Sequence, residues 1–221
     1  LKVTFEEILA MKSENGRSMV EMLGVLAIIG VLSVGAISGY SKAMFKYKLN
    51  KHTEQMNTVI NAVARHAHSF DNIQHRDSLI PYFIKMGEIP TEMVKSNNND
   101  YVYDIFGQQW QILINNSAIT LYSIHLDGSS FLSSNSSDNL AICQNILSVA
   151  KENSDNISEM MTATGKTIYS LDDHTYYILG DKLGNYCDMG YICLKNLTLE
   201  DIHTICTEHI KGGAGIFGIG F

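Results

Sequence analysis

"NGRSMVEMLGVLAIIGVLSVGAISGY", residues 15–40, is the stretch on which the reading of this chain turns. Residues 22–41 carry no charged side chain. As a helix at ~1.5 Å per residue they span ~30 Å, the thickness of a bilayer's hydrocarbon core. An ionised carboxylate costs a few kcal/mol in hydrocarbon on insertion scales. Yet Glu21 stands at the mouth of the run, with Gly16 and Arg17 just ahead of it. A secretory signal competes with a membrane span, because "SVGAISGY" (33–40) offers small residues for cleavage. Composition leaves both open.

The chain has 221 residues, 45% of them hydrophobic, and a formal net charge of −7. That length fits one domain with an appendage, or two small domains, and residues 70–221 suffice for a moderate core. The acidic balance argues against a nucleic-acid surface, which needs clustered bases. Bases gather once, in "SKAMFKYKLNKH" (41–52), which reads as a solvated helix face.

Four cysteines, Cys143, Cys187, Cys193 and Cys206, all follow the apolar run and match no zinc spacing. They read either as two disulfides in an oxidising compartment or as buried thiols, and four cysteines allow three full pairings. Orientation is divided. Lys42, Lys46, Lys48 and Lys51 after the span outnumber Lys2, Lys12 and Arg17 before it, which leans toward a cytoplasmic C-terminal domain. The cysteines point the other way.

Beyond the span, Leu49, His52, Met56, Val59, Ile60, Val63 and Ala67 recur at helical spacing, with Lys51, Glu54, Asn61 and Arg65 elsewhere on the wheel. One helix is expected from about 18 to about 69, with His52 as a packed core histidine. Residues 70–105 read as a loop-rich connector broken near Pro81 and Pro90. "QWQILIN" (109–115) and "AITLYSIHL" (118–126) form a hairpin signature around Asn-Ser. After the Ser/Asn loop 129–139, Asp138 or Asn139 is expected to cap a helix over 140–152. Strands are expected at 166–171 and 175–180. A helix over 197–209 opens on Thr198 and Asp201, a capping box with Asp for Glu. The tail "GGAGIFGIGF" (212–221) reads as a closing strand.

Enzyme signatures are absent: no G-x-S-x-G, P-loop or H-E-x-x-H occurs. His66 and His68 sit about 200° apart on a helix and cannot share a metal there. Asp172, Asp173 and His174 read as an exposed turn, and "SNNNDYVYD" (96–104) lacks calcium-ligand spacing. Neither a catalytic function nor a cofactor or metal is expected.

Residues 16–40 resemble the processing site and N-terminal helix of type IV pilins and type II secretion pseudopilins. Gly16 matches the glycine after which the prepilin peptidase cuts, and Glu21 the glutamate five positions beyond it. Ala27-Ile28-Ile29-Gly30 match the apolar core, and Tyr40 a tyrosine many pilins carry at the end of the span. Arg17 departs from the family's Phe or Met, whose amine is methylated, and this weakens the case for methylation and for efficient cleavage. Ser38 stands where many pilins have a kinking proline, so a straighter helix is expected. Met11 would start a short leader of the family's kind, "MKSENG", with residues 1–10 upstream of it. "FGQQW" (106–110), "LAICQNIL" (140–147) and Cys206 resemble, less closely, the type IVb branch and its PilS-like relatives.

The resemblance implies an α+β, pilin-like fold. Residues 1–16 are the leader, 17–41 the membrane and assembly helix, 42–69 its amphipathic continuation, and 70–221 a globular head with an antiparallel sheet and inserted short helices. It implies a periplasmic head on a single-pass inner-membrane anchor, later an extracellular filament, either pilus or pseudopilus. It also implies disulfides Cys143–Cys206 and Cys187–Cys193. Its partners are the prepilin peptidase, inner-membrane lipid, the assembly platform and further pilin subunits. A new α-amine at Arg17 would pair with Glu21 of a neighbour, so that neither charge stays unpaired in apolar surroundings. Gly24, Ala27, Gly30 and Gly35 would allow close helix packing. The alternatives are a minor pilin at a filament tip, binding a surface, DNA or cargo, and a membrane-anchored periplasmic protein that forms no filament.

Overall fold

The computed structural model describes residues 5–95, 100–124, 136–163, 176–189, 191–211 and 216–221. Its architecture is α+β, a long N-terminal helix together with an antiparallel sheet and shorter helices. Two compact units divide it, Leu1–Tyr47 and Lys48–Phe221. Helix α1, Phe5–His66, begins in the first and ends in the second. It starts well before the expected residue 18, because "FEEILAMKSEN" is made largely of good helix formers. It continues without a break through Ser38 and gives way to a 3₁₀ turn, Ala67–Phe70.

In the second unit, His52, Met56, Val59, Ile60 and Val63 of α1 are buried, and Leu49 and Ala67 pack beside them. Gln55 and Ala62, outside the expected stripe, are buried too. Helix α2, Ile80–Lys85, carries Pro81 in its first turn, where a missing N–H costs nothing. Helix α3 is Ser136–Glu152 and α4 is Leu199–Lys211. The expected cap at Asp138 or Asn139 is corrected, since α3 starts at Ser136 and both residues lie within its first turn. At α4 the capping box forms: Thr198 N–H donates to Asp201 Oδ2 at 2.8 Å, and Asp201 N–H to Thr198 Oγ1 at 3.1 Å. Aspartate therefore reaches back as glutamate does.

The strands are β1 Asp77–Ser78, β2 Val102–Tyr103, β3 Gln109–Asn115, β4 Ala118–Ile124, β5 Glu159–Ala163, β6 Tyr176–Leu179 and β7 Ile216–Gly220. They run in the order β1-β3-β4-β7-β5-β6, all antiparallel, with β2 also on β3. The β3–β4 hairpin closes on Asn116 and Ser117, at φ 48° and 64°, the left-handed pair that a two-residue primed turn requires. Ser117 holds that conformation by donating its N–H to Ile73 O and its hydroxyl to Asp71 O. The sequence expectations missed β1, β2 and β5. The candidate strand 166–171, Asp172, Asp173 and His174 lie outside the described residues, as do 96–99 of the oxygen-rich stretch and most of the Ser/Asn loop.

The C-terminal strand takes the middle of the sheet. Ile219 faces Leu121 on one side and Met160 on the other, so that Ile112, Leu121, Ile219, Met160 and Ile178 form one buried row across five strands. On the opposite face of β7, Gly218 and Gly220 follow Ile216 because neighbours cross the strand there. A Cβ on Gly218 would stand 3.1 Å from the Tyr122 ring, and one on Gly220 3.1 Å from Glu159 Cγ. Alternating glycine and large apolar residues is thus a one-sided strand.

Buried polar groups tie α1 to the sheet and to α3. Asp104 closes the turn before β3, its Oδ1 accepting from Phe106 N–H at 2.8 Å and Gln108 N–H at 2.9 Å. Gly107 at φ 82° completes that turn. Asp104 Oδ2 accepts from Trp110 Nε1–H at 2.9 Å and lies 3.4 Å from His52 Nε2. His52 Nδ1 is 2.6 Å from Asn145 Oδ1 on α3. His52 is thereby a structural residue. Two disulfides, Cys143–Cys206 between α3 and α4 and Cys187–Cys193 within one loop, join the pairs that the resemblance implied.

His209 on α4 is fully buried against Phe217 of β7, ring centroids 4.6 Å apart. Burial lowers its pKa to about 4. An unfolded histidine takes its proton near pH 6.5, whereas the folded one refuses it until about pH 4. Stability should therefore be complete above pH 6.5 and fall as pH drops toward 4, by roughly 2–3 kcal/mol at pH 4.5. Urea midpoints of wild type and His209→Leu at pH 7 and 4.5 check this. The variant should lose most of the difference; an unchanged difference places the acid sensitivity elsewhere.

Candidate functional site

In the first unit every large apolar side chain from Met19 to Tyr40 is exposed, from 53% at Ile29 to 75% at Val31. Exposure runs right round the helix, so no stripe faces a protein core. A helix apolar on all sides is stable only in a non-aqueous surrounding or against other helices. It is long and apolar enough to cross a membrane, with mean hydropathy 2.3 in its best window and none of that window buried.

Glu21 is the acid at the start of this segment. At 100° per residue Glu21, Gly24 and Gly35 fall within about 60° of one another, whereas Gly30 lies about 120° away from Gly24, with Ala27 between. The four small residues therefore do not line a single stripe. Helical geometry gathers Gly24 and Gly35 on the Glu21 face and turns Gly30 away from it. A Cβ on Gly24, Gly30 or Gly35 would meet nothing within 4 Å, so no contact inside the chain requires glycine there. The Gly16–Arg17 peptide lies inside α1, where glycine is the weakest helix former of the first four turns.

Several other titratable side chains among the described residues pair with one another. His66 Nε2 lies 3.3 Å from Glu88 Oε1, His68 pairs with Asp71 at 3.6 Å, and Arg65 also reaches Glu88. The His66 hydrogen bond, ahead of Arg65, lowers the Glu88 pKa. Lys51 bridges Glu54 and Glu92 at 3.1 and 3.0 Å. Among the described residues no three His, Cys, Asp or Glu side chains converge as a metal site would require. Compared with protein-family models and with curated proteins, the chain matches none.

The sequence reading missed a groove on the second unit between the start of α4, the Cys193 loop and β6. Nine of its ten lining residues come from the single stretch 191–205 and the tenth is Tyr176 of β6, a combination that matches no motif.

Proposed function

We propose that the chain is a pilin-like structural subunit, cleaved by a prepilin peptidase after Gly16 and assembled through its N-terminal helix into a type IV pilus or a type II secretion pseudopilus. The observation that carries this reading is an apolar helix, exposed on every side, with one glutamate five residues beyond a glycine. Cleavage leaves a cationic amine on Arg17. Glu21 of the next subunit neutralises it while both enter apolar surroundings, which makes axial stagger a condition of burial. Gly24 and Gly35 then let a neighbouring helix approach that same face. The head stays on the outer side of the inner membrane, where its disulfides persist, and the assembly platform extracts the processed subunit.

The test is the intact mass and N-terminal residue of the protein from membranes with and without a prepilin peptidase. A start at Arg17 only when the peptidase is present is the expected result. Glu21→Val should leave cleavage and insertion intact while sheared filament falls at least about tenfold, the equivalent of ~1.4 kcal/mol per contact. The same start with and without the peptidase, or filaments indifferent to Glu21, sinks the reading.

A further inference from the structure

The groove is about 450 Å³ in volume. Buried Leu197 and Ile205 form its floor, Tyr176 and Tyr191 its aromatic walls, and Glu200 and Asp201 stand on its α4 side. No Lys, Arg or His is among the described residues that line it. The Thr198 N–H and hydroxyl hold the Asp201 carboxyl below its ordinary pKa, with help from the charge of Lys151. Lys151 itself donates to Leu197 O at 2.6 Å, and Lys195 turns to Asp181 at 3.6 Å. Two apolar residues of its lining are open to solvent: Tyr191 is 60% exposed and Ile192 42%.

We propose that this groove takes a lysine side chain from the 42–48 stretch of a second copy of the chain. The faces of tyrosine rings attract an ammonium group, and a carboxylate beside them adds to the attraction. Lysine also brings a flexible aliphatic stem, which suits an apolar floor with carboxylates along one side. The chain already uses this contact internally, with Lys95 Nζ 3.6 Å above the Tyr103 ring. Charge decides the occupant. In a chain of net charge −7 the bases gather at 42–51, where Lys42, Lys46 and Lys48 are exposed while Lys51 is engaged with Glu54 and Glu92. That stretch directly follows the apolar run through which the copies would stack. The inference rests on the assembly reading for the source of the second copy.

The experiment follows a fluorescent peptide, residues 41–52 (SKAMFKYKLNKH), by anisotropy against the full chain in detergent micelles. Saturable binding is expected, weakened at least about tenfold by Glu200→Gln and by Tyr191→Ala, and lost when Lys42, Lys46 and Lys48 of the peptide are alanine. Both protein substitutions are at exposed positions, and circular dichroism is the check that the fold is unchanged. No saturable binding, or binding that neither substitution moves, overturns the proposal. Competition by lysine amide at the peptide's own affinity overturns the second-copy occupant. Because the readout needs no filament, Glu21→Val should leave it unchanged, so failure of the assembly reading and failure of the groove remain distinguishable.

Discussion

Ile219→Asp is expected to leave the Lys48–Phe221 unit without a cooperative thermal transition, whereas Ile216→Asp should shift its midpoint only slightly. Both residues lie on β7, three apart, and so on opposite faces. Ile219 is fully buried at the middle of the five-strand row, while Ile216 is partly exposed at the strand's start. Truncating a buried isoleucine costs about 2–5 kcal/mol. A carboxyl left there adds a few kcal/mol more, whether it stays charged or is forced neutral. The sum rivals the whole 5–15 kcal/mol of a typical domain. Among the described strands, β3–β4 meet β5–β6 only through β7. Calorimetry of the two variants in detergent decides it, and a cooperative transition in Ile219→Asp within a few degrees of wild type contradicts this account of the sheet.

Removal of the Cys143–Cys206 bridge by paired alanine substitutions should cost about 4 kcal/mol, and removal of Cys187–Cys193 about 2 kcal/mol. The difference follows from loop length, because the bridges span sequence separations of 63 and 6 residues. The longer bridge denies the unfolded chain far more conformations. It also joins two helices whose facing residues, Ile146, Ile202 and Ile205, are already buried. Reversible urea unfolding of the three proteins provides the comparison. Equal losses for the two bridges would show that native contacts around the sulfurs, rather than chain entropy, dominate.

The parts of the fold that could be read from the sequence are those fixed by neighbours along the chain. Alternating β-branched residues around Asn116-Ser117 located the hairpin, because a two-residue turn and its register are local. Thr198 and Asp201 located the start of α4 for the same reason. The apolar stripe from Leu49 to Ala67 located the buried face of α1, although Gln55 escaped it because its burial depends on accepting from Ile105 N–H, 50 residues away. Strands β1 and β2, two residues each, have no pattern of their own and exist only where β3 offers a partner. "EMMTA" lacks the composition of a strand and becomes one because β6 and β7 flank it. The apolar helix after Glu21 could be read because its signal is contiguous. The groove could not, since the stretch 191–205 carries no motif and gains its Tyr176 wall only when β6 joins the sheet.

The central place of β7 also sets a clock. Ribosomes release this chain from the N-terminus, so β3, β4, β5 and α3 all emerge before residues 216–220. Until those residues arrive, the two hairpins have no shared edge, and the non-local pairings that join them cannot begin. The sheet therefore stays in two parts until residues 216–220 have been made. If the chain is passed across a membrane as it is made, the sheet can close only after β7 has crossed.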